Sequence, residues 1–157
     1  AAPAQVLEFV KKHAPATRDA GELFEAALAE AMNSNRRVWA CVSQTRCSPC
    51  FGLARWMDSQ RTLLEKDYVI YTFDDVRDTH GIELARSLGF SSHGVPCHSI
   101  LDSDGNELVN SIGPLGNMGG PDASPEYTKH LRKMLNTSRQ RLTDEEISSI
   151  LLSLPTE

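Results

Sequence analysis

The chain has 157 residues, of which 40% are hydrophobic and 24% charged, and its formal net charge is −5. That composition supports one domain with an ordinary core and excludes a largely disordered chain. No apolar run reaches the roughly 18–20 residues of a membrane span. The richest basic patch (Arg132, Lys133, Arg139 and Arg141) reads as a solvated helix face, so no nucleic-acid partner is expected.

The chain opens on Ala1-Ala2-Pro3-Ala4 with no Met. Small residues there fit a mature chain after signal removal, which leans towards an exported or periplasmic protein without excluding the cytoplasm. Val6, Leu7, Phe9 and Val10 predict a short helix over residues 4–13, stopped by Pro15. Asp19 with Glu22 forms a capping pattern for a second helix, whose stripe is Leu23, Phe24, Ala27, Leu28 and Ala31. Both helices read as packing elements.

Arg37 to Ser43 predicts a central strand, because its apolar run is nearly continuous. Gln44-Thr45-Arg46 is a loop, and a helix is expected from Ser48 to about Glu65 with Pro49 in its first turn. Tyr68 to Phe73 predicts a second strand. Thr79 to Leu88 predicts a helix closed by Gly89. Gly94-Val95-Pro96 feeds a strand to Leu101, Asp102 to Gly105 turns the chain, and Glu107 to Ile112 returns antiparallel.

Residues 113–124 are rich in Gly and Pro and predict a long loop, read either as a surface insertion or as a flexible flap near a site. Pro125 opens a helix to about Ser138. Thr143 to Glu146 is a capping box for a last helix with Ile147, Ile150, Leu151 and Leu154 inward. The order is strand, helix, strand, helix, strand, strand, helix. A right-handed crossover makes the first two strands a parallel pair. Three regions follow: 1–35 as an N-terminal helical extension, 36–139 as the main α/β domain, and 140–157 as a C-terminal helix packed on it.

The chemistry concentrates at Cys47-Ser48-Pro49-Cys50. Cys47 falls at a helix start, where unpaired N–H groups and the helix dipole favour a thiolate. A thiolate attacks disulfides and a thiol does not. Cys50 is about one turn on, close enough to close a disulfide ring with Cys47. The chain has only four cysteines, and no second C-x-x-C or H-x-x-x-H accompanies the pair, which argues against a structural zinc finger.

That element order, with Cys47-Ser48-Pro49-Cys50 at the first core helix, Gly94-Val95-Pro96 some fifty residues later and the Asp102 to Gly105 hairpin, resembles the thioredoxin superfamily over roughly residues 36–135. The resemblance implies a thioredoxin-like α/β fold: a central mixed four-stranded sheet with helices on both faces, plus extra terminal helices. It implies a cis Val95–Pro96 bond, with Pro96 against the cysteine pair. Arg46, Ser48, Pro49, Val95, Pro96 and Gly113 would then edge a groove for a substrate polypeptide. The implied activity is thiol–disulfide exchange, in the reductive direction. Cys47 would be the attacking thiol and Cys50 the resolving one, with no cofactor beyond the Cys47–Cys50 disulfide. Partners would be disulfide-bearing proteins and a separate electron donor or acceptor, the chain itself being a monomer.

The sequence departs from the family pattern at three positions. Arg46 stands where Trp is common, Cys41 where a buried Asp is usual, and Cys97 where Thr is common. Cys41 and Cys97 read as small buried hydrophobes or as auxiliary thiols forming a second redox pair near Cys50. A different reading makes the domain an adaptor or a metal-binding or redox-sensing module, with His93 and His98 near the cysteines. Exposed loop histidines are the plainer interpretation, and no metal is expected. His13, His80 and His130 read as surface residues, Asp74-Asp75 as a loop start, and Trp39 and Trp56 as core.

Overall fold

The structure, a computed structural model, describes residues 18–156. The helix expected over residues 4–13, and His13 with it, lies outside that range.

Asp19 caps helix α1 (Ala20–Ser34) by accepting the Glu22 backbone N–H at 3.0 Å. Asn35, at φ 53, closes it with its N–H on the carbonyls of Ala31 and Met32. Strand β1 (Arg37–Ser43) follows, and Val38 through Val42 are all buried. Then come α2 (Ser48–Ser59), a single turn α3 (Arg61–Leu64), β2 (Tyr68–Asp74) and α4 (Gly81–Ser87). Strands β3 (Cys97–Leu101) and β4 (Glu107–Asn110) complete a four-stranded sheet in the order β2-β1-β3-β4. β1 is parallel to β2 and antiparallel to β3, and β3 is antiparallel to β4. This is the mixed sheet that the element order predicts.

Two elements differ from expectation. The helix expected to reach Glu65 breaks at Gln60, whose φ of −105 and ψ of 10 leave the helical region. Beside the break, the Ser59 hydroxyl donates to the Trp56 carbonyl at 2.6 Å and competes with the backbone ladder. The return strand stops at Asn110, whose side-chain oxygen takes the Ile112 N–H at 2.9 Å. The Gly- and Pro-rich loop contains a small hairpin of β5 (Ile112–Gly113) and β6 (Gly116–Asn117). Two helices finish the chain: α5 (Pro125–Ser138) and α6 (Asp144–Leu152), the latter with the expected Thr143–Glu146 capping box.

The sheet divides two apolar layers. One holds Ala27 and Ala31 of α1, Leu84 and Ala85 of α4, and Val38, Ala40, Val42, Tyr71 and Phe73 of the strands. The other holds Leu53, Trp56 and Met57 of α2, Leu131, Met134 and Leu135 of α5, and Ile147 and Ile150 of α6, against Trp39, Cys41 and Ile100. Both α1 and α6 therefore share the cores that cover the sheet.

Asp67 fixes the end of the fold away from the cysteine pair. Its carboxylate, fully buried, accepts the backbone N–H groups of Gln140 at 2.9 Å, Arg141 at 2.8 Å and Leu142 at 3.0 Å. The Arg141 guanidinium lies 3.6 Å from it. A buried carboxylate is tolerated when its lone pairs are satisfied in this way. The segment leading into α6 is thus tied to the start of β2.

Candidate functional site

The site forms where β1 leaves the sheet. Arg46 turns the chain at φ 70, in the left-handed region that few non-glycine residues occupy. That turn sets Cys47 as the N-cap of α2. Cys47 Sγ accepts the Cys50 backbone N–H at 3.1 Å, so the helix's free donor points at sulfur. Pro49 occupies the first turn, where its missing N–H has no partner to lose. Cys47 and Cys50 form a disulfide, with Cα atoms 5.2 Å apart. Cys47 is half-buried and Cys50 only 3% exposed, so Cys47 is the more accessible of the two.

The second edge comes from the loop before β3. The Val95–Pro96 bond is cis, and the Val95 carbonyl oxygen lies 3.7 Å from Cys47 Sγ. Pro96 is buried, Val95 half-buried, and Arg46, Ser48 and Pro49 are exposed. Gly113 packs against α5, where a Cβ on it would lie 3.2 Å from His130 Nδ1. Asn117 and Gly120 of the same loop also reach the site. Asn117 Nδ2 donates to the carbonyls of His93 at 3.0 Å and Pro96 at 2.9 Å. A Cβ on Gly120 would come within 2.9 Å of Pro49 Cβ.

Two further apolar residues, Phe51 and Ile82, stand exposed. Phe51, in the first turns of α2, is 52% exposed beside Cys50. It borders a surface depression with Gln44, Thr45 and Asp74. Ile82 is 56% exposed and lines a second depression with Val95 and Gly94. Exposed apolar side chains thus border the loop before Cys47 and the loop that carries Val95. Helical periodicity alone does not tell an exposed position at the edge of a stripe from a buried one.

The auxiliary thiols do not pair. Cys41 and Cys97 are both free and buried. In the β1–β3 ladder Cys41 faces His98 and Val42 faces Cys97. Neighbouring strand residues point to opposite faces, so the two sulfurs are separated by the sheet. Cys41 Sγ meets Met57 Sδ at 4.0 Å. Met57 is seven residues beyond Cys50, which is about 10 Å along the helix. Cys97 instead lies 3.6 Å from the Ser111 hydroxyl. Burial pushes the Cys41 thiol up to about 12, and burial also raises Cys97. Both are kept as neutral thiols.

His98 is fully buried, not a loop residue, and His130 is also buried, against Asn110, rather than on the surface. Trp39 Nε1 donates to His98 Nδ1 at 2.9 Å, so the proton of the neutral ring sits on Nε2. Burial lowers the His98 pKa to about 3. His98 Nε2 and the Tyr127 hydroxyl have no hydrogen-bond partner among the described residues. With its Nδ1 committed to Trp39 inside the core, His98 is not available to join His93 as a ligand beside the cysteines. Among the described residues, no group of three or more His, Cys, Asp or Glu is placed to hold a metal.

A thioredoxin-like family model matches residues 19–103, more than half the chain. The protein belongs to the thioredoxin-like family. The match begins at residue 19 and so takes in α1, which the sequence assigned to an extension. No curated protein matches the sequence significantly. Among solved structures, a disulphide isomerase from Xylella fastidiosa Temecula1 aligns with a TM-score of 0.56 and 16% identity, over 89% of this chain and 94% of that one. Thioredoxin O2 from Arabidopsis thaliana aligns with a TM-score of 0.47 and 18% identity, over 61% and 78%. A thioredoxin-fold protein from Helicobacter pylori gives 0.48 and 14%, over 76% and 82%. At 16% identity the first of these establishes the fold. Within this thioredoxin-like fold, a redox-capable cysteine pair at a helix start is consistent with thiol–disulfide chemistry.

Proposed function

We propose that this chain is a thiol–disulfide oxidoreductase that reduces disulfides in protein substrates through Cys47 and Cys50. The observation that carries the reading is the Cys47–Cys50 disulfide at the N-cap of α2, with the Cys50 N–H on the Cys47 sulfur. In the reduced protein the same N–H and the helix dipole favour a thiolate at Cys47.

The cycle balances without a cofactor. The Cys47 thiolate attacks one sulfur of the substrate disulfide, and the other sulfur leaves as a thiolate that takes a proton. The Cys50 thiol loses its proton and attacks Cys47 in the mixed disulfide. The second substrate sulfur leaves, and the Cys47–Cys50 disulfide remains. The substrate has gained two electrons and the protein has lost two, so a dithiol donor must reduce the protein again.

Val95 and Pro96 supply the substrate's second contact. An extended peptide pairs with the Val95 backbone as an added strand while Cys47 reaches its sulfur. Arg46, Ser48 and Pro49 form the exposed lip of that groove, and the flanking Phe51 and Ile82 favour apolar residues next to the target cysteine.

An insulin reduction assay with dithiothreitol tests the reading. The wild-type chain accelerates precipitation of the insulin B chain, and Cys47→Ser abolishes the effect. Undiminished activity in Cys47→Ser would overturn it.

A further inference from the structure

The loop between β4 and α5 is strapped across one side of the cysteine pair. Its first end is the β5–β6 hairpin, whose Met118 N–H bonds to the Ser111 carbonyl at 2.9 Å. Its last end is Ser124, which caps α5 by accepting the Tyr127 N–H at 3.2 Å. Between these anchors, Gly120 lies against Pro49 so closely that a Cβ would also meet the Pro49 carbonyl oxygen at 3.2 Å.

Asn117 joins this strap to the facing loop. Its Oδ1 accepts the Ser111 hydroxyl at 2.8 Å, and that hydroxyl oxygen already takes the His98 N–H at 3.0 Å. Ser111 is fully buried, so its orientation is set by the sheet. With Oδ1 fixed, both Nδ2 hydrogens point at the carbonyls of His93 and Pro96. The reversed amide would set an oxygen against two oxygens, so only one orientation satisfies every partner. His93 and Pro96 flank Gly94-Val95, the dipeptide beside Cys47.

We propose that Asn117 is a positioning residue for protein substrates: it pins both ends of the Gly94-Val95 segment to the strap and so fixes the width of the groove beside Cys47. This rests on the oxidoreductase reading given above. A small disulfide needs only the Cys47 sulfur. A polypeptide needs the sulfur and the Val95 backbone in one fixed geometry, so the two substrates respond differently when the clamp is cut.

The test compares the full wild-type chain with Asn117→Ala, Asn117→Asp and Gly120→Ala. Insulin reduction gives kcat and KM, and the reduced proteins are also reacted with the small disulfide 5,5′-dithiobis(2-nitrobenzoate). Loss of the two amide bonds raises the insulin KM of Asn117→Ala about tenfold. Its kcat and its rate with the small disulfide stay within about twofold of wild type. Asn117→Asp is worse at neutral pH, because a carboxylate faces two carbonyl oxygens. Relative to wild type it recovers as the pH falls, since the protonated acid can donate again. Gly120→Ala pushes the strap off Pro49 without touching the amide, and it shows the same selective rise in KM even where the Asn117 variants fail to fold. An unchanged insulin KM in the folded variants, or equal losses on both substrates, overturns the role of Asn117 alone. A wild-type chain inactive on both disulfides overturns the oxidoreductase reading and this inference with it.

Discussion

The sulfurs of Cys41 and Cys97 lie on opposite faces of the sheet, although their strands are neighbours in the β1–β3 ladder. A disulfide needs Cβ atoms about 3.5–4.5 Å apart and directed at each other, which strand alternation denies this pair. Four cysteines therefore divide into one disulfide-bonded pair and two separate buried thiols. Thiol titration in denaturant, after mild oxidation, will find two free thiols, and after full reduction four. In the folded oxidised protein neither thiol will react readily at neutral pH, because burial keeps both protonated, Cys41 up to about 12. A count near zero after mild oxidation would mean that Cys41 and Cys97 had joined.

The difference in exposure between Cys47 and Cys50 makes a directional prediction. Cys47 is half-buried and borders the Val95 carbonyl, whereas Cys50 is 3% exposed. In the reduced protein, substoichiometric iodoacetamide will label Cys47 first, as peptide mapping will read. Cys50→Ser will accumulate a mixed disulfide between Cys47 and its protein substrate, because the thiol that breaks it is gone. Cys47→Ser will trap nothing. Equal labelling of the two sulfurs would contradict the assignment of attacking and resolving thiols.

Most of the fold was legible because the chain's local signals agree with one another. Asp19 and Thr143 cap the helices that they were read to cap, and the unbroken apolar run from Val38 to Val42 occupies the centre of the sheet. Cys47 and Cys50 could be found because their chemistry needs a short spacing within one helix start. Asn117 could not be found that way. Its three partners come from Ser111, His93 and Pro96, residues 6, 24 and 21 positions away. An asparagine in a Gly-rich loop looks the same in sequence whether it clamps two carbonyls or faces water. The burial of His98 is hidden in the sequence for a related reason: only the register against Cys41, with Trp39 alongside, shows that its ring is inside.

That buried ring gives the protein a specific acid sensitivity. Unfolded imidazole takes a proton below about pH 6.5. In the fold, burial holds His98 neutral down to about 3. Between those values the unfolded state binds more protons, so stability present above pH 6.5 is lost as the pH falls towards 3. At pH 4.5 the loss from this one group is about 2–3 kcal/mol. His98→Asn removes the titration and keeps an acceptor near Trp39 Nε1. Urea unfolding at pH 7 and 4.5 will show a smaller difference for the variant than for wild type. Equal pH dependence in the two proteins would mean that His98 does not govern it.

Asp67 makes the opposite separation, between stability and chemistry. Its carboxylate gathers three backbone N–H groups from residues 140–142 just ahead of α6. Asp67→Asn keeps one acceptor oxygen and turns an NH₂ group towards the remaining donors, so buried N–H groups lose their partner. The expected cost is about 2–4 kcal/mol in urea unfolding, and Asp67→Ala costs at least as much. Asp67 precedes β2 at the end where Arg37 pairs with Tyr68, and Cys47 follows the other end of β1. Seven strand residues, roughly 20 Å, lie between them. Insulin reduction at 25 °C by the folded variant should therefore match wild type while its unfolding midpoint falls. A loss of kcat at full occupancy of the folded state would show that the α6 anchor reaches the cysteine pair through the core that Trp39, Leu53 and Met57 share with Ile147 and Ile150.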